Sequence, residues 1–333
     1  MKAYIKSISY YLPETVVTNE DIGREFPDWP AEKISKKIGI HERHIASENE
    51  TSADMAVSAA EMLFKEHNID RTSIDYLLLC TQSPDYFLPA SSCIIQEKLN
   101  LRTDAGALDF NQGCSGFVYG LSLAKGLISS GICRNVLLIT SETYSKYIHK
   151  LDRSNRTIFG DAAAATLISV SGFAEIGNFS FGTDGKGAKN LIVETGGLRC
   201  FNRINRINFD ENNNPISPDH LFMNGSEIFN FTLEAVPILT ESVMEMNNLN
   251  PSDIDLYVFH QANKYMLEFL RKKMLIEPEK FYYCLEKVGN TVSSTIPIAL
   301  KEGMSDNSIK KGNKIVIAGF GVGYSWAGSI LNY

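Results

Sequence analysis

Residues 68–82 read N-I-D-R-T-S-I-D-Y-L-L-L-C-T-Q, and about 180 positions later residues 248–262 read N-L-N-P-S-D-I-D-L-Y-V-F-H-Q-A. In each, an Ile-Asp pair leads into an apolar run long enough for one strand buried on both faces. A helical stripe precedes each run: Ala56, Ala59, Ala60, Leu63 and Phe64 in the first case, Leu233, Val236, Leu239 and Val243 in the second. An offset again close to 180 returns once more. V-L-L-I-T at 136–140 follows Gly131, and K-I-V-I-A at 314–318 follows Gly312. Two matches in one register predict a duplicated βαβαβ unit, and so an α/β chain with a largely parallel, buried sheet in each half. The halves are expected at residues 1–175 and 176–333. Residues 199–220, rich in Asn, Arg and Pro and containing Asn212-Asn213-Asn214-Pro215, read as a loop between them, either a solvated linker or a flap.

Composition narrows the function. The chain has 333 residues, 44% of them hydrophobic and 21% charged, as expected of a globular protein with a substantial core. Thirty-nine acidic against 32 basic residues give a net charge of −7, which argues against nucleic acid as the main partner. No apolar run approaches the roughly 18 residues of a membrane span, and the N-terminal residues lack the apolar stretch of a secretory signal. The six cysteines are scattered without a C-x-x-C pair, and the histidines show no metal-ligand spacing. The expectation is a cytoplasmic protein with free thiols, no metal and no membrane span.

Chemistry concentrates at three junctions. D-F-N-Q-G-C-S-G at 109–116 hands a strand to a helix with the apolar stripe Val118, Leu121, Ala124, Leu127 and Ile128. A cysteine there, Cys114, meets the positive end of the helix dipole and unpaired amides, which favour thiolate. Taken alone, a cysteine among glycines is more often merely buried. The second half supplies partners: His260 ends the strand at 256–259, at the repeat position of Cys80, and Asn290 sits in G-N-T-V-S-S, the counterpart of the Cys114 junction. Catalytic groups of parallel sheets gather at the carboxyl ends of strands, so pseudo-twofold halves would aim Cys114, His260 and Asn290 into one cleft. Cys, His and Asn together indicate acyl transfer. A papain-like protease carries the same three residue types, but the position of the cysteine, its Q-G-C-S-G-F context and the duplicated strands are foreign to it. The G-x-G-x-G at 319–323 stands too near the last residue given for a following βαβ unit, so it is not read as a dinucleotide site.

With G-I-H-E-R-H-I at 39–45, F-G-D-A at 159–162, H-Q-A-N at 260–263, G-N-T at 289–291 and F-G-V-G-Y-S-W at 320–326, the chain resembles the ketoacyl-acyl-carrier-protein synthase III family of condensing enzymes over nearly its whole length. The resemblance implies a thiolase-fold homodimer with five α-β-α-β-α layers and no cofactor. It makes Cys114 the nucleophile that takes an acyl group from acyl-CoA, and it makes His260 and Asn290 the donors that stabilise the enolate formed as malonyl-acyl carrier protein loses carbon dioxide. The amides of Cys114 and Val322 would form the oxyanion hole, and Asn263 and Phe320 would line the substrate site. An alternative on the same fold is acyl transfer from Cys114 to an oxygen, nitrogen or other carbon nucleophile, and a scaffold without catalysis would leave the three residues unexplained.

Departures from the family pattern bear on substrate. Arg153 matches a CoA-contacting arginine; Lys272 and Lys273, with Arg271 beside them, match a basic docking pair for the acidic carrier protein. Tyr265 and Asn230 stand where relatives have Arg and Lys, with Lys264, Arg199, Arg203 and Arg206 as other nearby cations. Trp29 lies near the place of an adenine-stacking tryptophan, and either stacks or packs. Leu88 replaces a phenylalanine that reaches across the dimer to the acyl pocket. Glu142 is either an extra acid near the site or a partner for a backbone amide.

Overall fold

In the computed structural model, which describes residues 1–211 and 213–333, the apolar runs are continuous because both of their faces are covered. Nine strands form one sheet: β1 (Tyr4–Tyr11), β2 (Tyr76–Cys80), β3 (Gly106–Phe110), β4 (Asn135–Glu142), β5 (Ala162–Ser169), β6 (Ala174–Thr183), β7 (Leu256–Phe259), β8 (Lys314–Gly321) and β9 (Ser325–Asn332). Their order is β7-β8-β9-β6-β1-β5-β4-β2-β3. The join is slight: β1 and β6 share only the pairs Tyr4–Glu175 and Ile5–Ala174.

The helices that matter are α1 (Ser52–His67), α2 (Ser91–Lys98), α3 (Gly116–Ser129), α4 (Gly225–Met246), α5 (Lys264–Lys273) and α6 (Thr295–Ser305). Helices α1 and α2 cover the outer face of the first-half strands; α4 covers the outer face of the second-half strands and carries α5 against it. Between the two sets lie α3, against β2, β4, β8 and β9, and α6, against β1, β5 and β7. The result is the α-β-α-β-α layering.

The repeat holds in the phase of burial. Leu77, Leu79, Leu137 and Ile139 face α1, whereas Leu78, Val136 and Leu138 face the middle helices. In the second half, 180 residues on for the first strand and 179 for the second, Tyr257, Phe259, Val316 and Ala318 face outward to α4 and α5, while Val258, Ile315 and Ile317 face the middle. A strand rotates its side chains by half a turn per residue, so a one-residue slip would have inverted this set.

Two expectations need correction. The sheets are only partly parallel: β2 pairs parallel with β3 and β4, and β7 with β8, but β5, β1, β6 and β9 all pair antiparallel. The short turn from Gly321 to Ser325 can close only an antiparallel pair, since a parallel one needs a crossover. The 199–220 segment does not separate the halves either. The second half already begins with β6, the counterpart of β1, so the segment is an insertion between β6 and α4. It carries a small antiparallel hairpin, Asn208–Phe209 with Pro215–Ile216. Its base is tied down where the Asp219 carboxylate accepts from the Ile204 and Asn205 amides and from Thr195 Oγ1. Asn212 lies outside the described residues.

Leu121, fully buried on α3 between the sheets, tests this packing. Leu121→Ala is expected to cost about 3 kcal/mol by urea unfolding, the transfer and cavity terms together.

Candidate active site

Cys114, His260 and Asn290 line one cavity of about 140 Å³ together with Asn263, Phe320 and Gly321. Each arrives on its own turn. Cys114 lies two residues before α3, under an N-cap at Ser115. His260 follows β7, and Asn263 caps α5 by accepting from the Met266 amide at 2.9 Å. Asn290 is threaded between halves: its amide donates to the Ile158 carbonyl at 2.9 Å and its carbonyl accepts from Gly160 N at 3.1 Å. The G-N-T-V turn that presents it is strained, because Val292 is a β-branched residue at φ 55°.

The hydrogen bonds orient the side chains. Asn290 Oδ1 accepts from Val292 N at 2.9 Å, which leaves its Nδ2 to donate into the cavity. His260 Nδ1 meets Thr295 Oγ1 at 2.8 Å, and that hydroxyl also lies 3.1 Å from the Val292 carbonyl. A hydroxyl both donates and accepts, so Thr295 supports the ring with its one proton on either nitrogen. Phe320 stands edge-on to His260, centroids 5.8 Å apart. Sequence reading did not find Thr295, which had no motif to flag it.

The glycines set aside as a dinucleotide motif have a different use. A Cβ on Gly321 would stand 2.6 Å from Cys114 Sγ, and one on Gly319 2.7 Å from the Cys114 carbonyl. Strand β8 therefore passes the nucleophile candidate with bare backbone. The amides of Val322, just beyond it, and of Cys114 itself lie where they pull the thiol toward thiolate. The resemblance assigns the oxyanion hole to the same two amides.

Electrostatically the site is neutral. Burial pushes the Cys114 thiol up to about 12 against the pull of those amides, so the thiolate expected from its place before a helix is not the resting form. Burial likewise lowers His260 to about 3, leaving a neutral imidazole. Glu142, fully buried at the end of β4, accepts from the Gln82 amide, Ser83 Oγ and Ser293 Oγ with no cation among these partners. Burial raises its carboxyl to about 8. Of its two readings, partner to a backbone amide is the one observed. The other motifs are scaffold: Arg43 is buried and donates to Val17 O, Asn19 Oδ1 and Thr157 O, and Asp161 accepts from the Ala46 and Ser145 amides.

A second cavity, about 790 Å³, shares Met223, Gly225, Asn263 and Met266 with the first and opens beside the hairpin at Pro215 and Ile216. Lys37, Asn230 and Tyr265 line it. Trp29 stands nearby, half-buried against the core, with Lys33, Lys37 and Arg153 all over its ring at 4.5–5.7 Å. The structure thus brings Trp29 and Arg153 together, though neither lines the thiol cavity. A third cavity, about 800 Å³, shares Leu191 with the first and takes Val322 as part of its wall.

The other candidates lie apart. Leu88 is 82% exposed on the 83–90 loop and lines none of these cavities. Lys264 packs its stem on Gly39 and pairs with Glu286 at 3.4 Å. Lys272 and Lys273 are exposed at the end of α5, where cations also complement the helix dipole. Arg271 does not share that exposure: its side chain is 12% exposed, bonded to Glu268 and to the Ile276 carbonyl, and it holds the helix end instead of facing a partner. Among the described residues, no three His, Cys, Asp or Glu side chains are grouped to hold a metal ion, and no helix is long and apolar enough to cross a membrane. The six cysteines are free.

A duplicated thiolase-type fold with a buried thiol facing two amides, a neutral imidazole and a carboxamide defines an acyl-transferring condensing enzyme. Comparison with known proteins names the family. The description 3-oxoacyl-[acyl-carrier-protein (ACP)] synthase III matches residues 108–185, and its C-terminal counterpart matches residues 244–333. The beta-ketoacyl-[acyl-carrier-protein] synthase III of Caldanaerobacter subterraneus subsp. tengcongensis is 36% identical over 97% of this chain and 95% of its own. A crystal structure of a 3-oxoacyl-(acyl-carrier-protein) synthase III superposes with a TM-score of 0.98 at 48% identity, covering all of both chains. One from Burkholderia xenovorans LB400 gives 0.91 at 35%, over 100% of this chain and 94% of that one. The chain belongs to the 3-oxoacyl-acyl-carrier-protein synthase III family.

Two titrations follow from the burial. Alkylation of Cys114 by iodoacetamide, followed by peptide mass mapping, is expected to rise about tenfold per pH unit from pH 7 to 9.5 without a plateau, since the thiol is pushed up to about 12. For Glu142 the folded carboxyl holds its proton to about 8 whereas an unfolded one sheds it near 4.5. Its contribution to stability is therefore intact below pH 4.5 and is lost as pH rises toward 8. Urea unfolding at pH 4.5, 6.5 and 8.5 is expected to show Glu142→Gln gaining on the parent protein as pH rises.

Proposed function

We propose that the protein transfers an acyl group from acyl-CoA to the Cys114 sulfur and then condenses it with malonyl-acyl carrier protein, giving 3-oxoacyl-carrier protein, CoA and carbon dioxide. The relatives named above are condensing synthases, which favours this reading over transfer to an oxygen or nitrogen nucleophile. In the first half-reaction the thioester oxygen sits at the Cys114 and Val322 amides, the sulfur attacks, and the thiol proton leaves with CoA. In the second, the malonyl carboxylate departs as carbon dioxide. The enolate oxygen accepts hydrogen bonds from Asn290 Nδ2 and from the His260 nitrogen opposite Thr295, each worth about 3 kcal/mol in such a site. The enolate carbon then attacks the acyl carbonyl and expels Cys114, whose thiolate regains a proton.

One observation carries the reading: the thiol faces two amides at the mouth of the cavity that also holds a neutral His260 and an Asn290 with its donor end unbonded. Neutral donors suit a charge that exists only in the transition state.

The wider assignments belong to the same proposal. Halves 1–175 and 176–333 supply nucleophile and donors respectively. CoA would enter by the second cavity, with Trp29 and Arg153 at its rim and Phe320 and Asn263 nearer the thiol. Lys264, Lys272 and Lys273 would meet the acidic carrier protein. No cofactor takes part and the setting is the cytoplasm. A homodimer is supported by β3, an uncovered sheet edge with Leu108 exposed, and by the exposed Tyr86, Phe87 and Leu88 beside Phe201. Bare edges invite pairing, and Leu88 would reach its site only across such a junction.

The half-reactions separate in a mass experiment. Intact-protein mass spectrometry with acyl-CoA is expected to show one acyl adduct on the parent protein and none on Cys114→Ala. Asn290→Ala should acylate within a few-fold of the parent rate but release carbon dioxide from malonyl-carrier protein at least 100-fold more slowly. Equal loss of both steps would overturn the assignment of Asn290.

A further inference from the structure

The third cavity carries polar side chains on its wall, Gln82 and Tyr144 among them. Gln82, at the end of β2, lies against the residue before Cys114: a Cβ on Gly113 would stand 2.6 Å from Gln82 Oε1 and 2.6 Å from the Val322 side chain. Gln82 is held at four points. Its amide donates to Glu142 at 3.0 Å and its carbonyl accepts from Tyr147 Oη at 2.8 Å. Its Oε1 accepts from Tyr144 Oη, and its Nε2 donates to Asn111 Oδ1 at 3.0 Å. Burial keeps both phenols protonated and so fixes them as donors.

Resting on the synthase reading above, we infer that the acyl group carried by Cys114 bears a hydroxyl, which Gln82 and Tyr144 recognise in the third cavity. Once the mutual bonds are made, Gln82 still offers one amide N–H, and Tyr144 still offers the lone pairs of its oxygen. That is a donor beside an acceptor, the complement of a hydroxyl, which makes both kinds of bond. A plain alkyl chain would strip water from these groups and return nothing, a mismatch that costs far more than a misplaced methylene. A carboxylate is disfavoured, because Asp85 lines the same cavity. The four-point hold keeps the pair in place before substrate arrives, so recognition carries little ordering cost.

The test is a race between near-isosteres. Acylation rates on Cys114 are measured by intact mass for butyryl-CoA and for its 2-, 3- and 4-hydroxy derivatives, on the parent protein, Gln82→Leu and the volume-conserving Tyr144→Phe. Thermal melts confirm that both variants fold. At least one hydroxy isomer is expected to react about tenfold or more faster than butyryl-CoA, and both variants should bring the two rates within about threefold. Butyryl-CoA matching every hydroxy isomer on the parent protein would overturn the inference, as would a preference that survives in both folded variants. An absence of adduct with any thioester would instead overturn the assignment of Cys114 as the acyl carrier.

Discussion

The rest of the site depends on one contact without a side chain in it: β8 passing Cys114 at Gly319 and Gly321. Any Cβ at Gly321 would overlap the sulfur. Because the strand is bare there, the Val322 amide reaches the sulfur from the second half while the Cys114 amide reaches it from the first. The middle layer makes this possible. Helix α3 begins at the cysteine and packs on strands of both halves, so the rigid core that fixes α3 also fixes the sulfur against β8.

Burial then sets the chemistry. The thiol, the imidazole and the Glu142 carboxyl are each driven toward their neutral forms by loss of water. A charged resting site would have to be compensated by counter-ions near the nucleophile, and these would screen the oxyanion it must later stabilise. A neutral one holds its donors ready for charge that develops during reaction. Glu142 fits this pattern. It joins the end of β2 to the turn after Asn290 through hydrogen bonds alone, tying nucleophile-side and donor-side loops together.

Around this centre two larger cavities adjoin the thiol cavity, each with its own lining. The second cavity carries Tyr265 and Asn230 on its wall, and cations gather around Trp29. The 199–220 insertion adds a hairpin beside the same opening. The third cavity presents the Gln82 amide and the Tyr86, Tyr144 and Tyr147 phenols among apolar side chains.

The duplicated fold and the trio Cys114, His260 and Asn290 were legible from residue order, because strand pleat and helix stripe are local periodicities that survive in a linear string. In the strand at 76–80 and its counterpart at 256–259 the 180-residue offset even preserved which side faces the middle layer. Sheet direction was not legible, since an apolar run reads alike in parallel and antiparallel pairs. Nor was the protonation of the thiol, because a position before a helix is a local property whereas desolvation depends on every element packed around it. The use of Gly321 showed only once β8 lay beside Cys114, and Arg271 looked like a docking cation until Glu268 and the Ile276 carbonyl enclosed it. Sequence by itself determined the elements and the reacting residue types. Only the tertiary structure decided charge state, close approach and which polar side chains line the cavities, for these depend on distances between residues far apart in the chain.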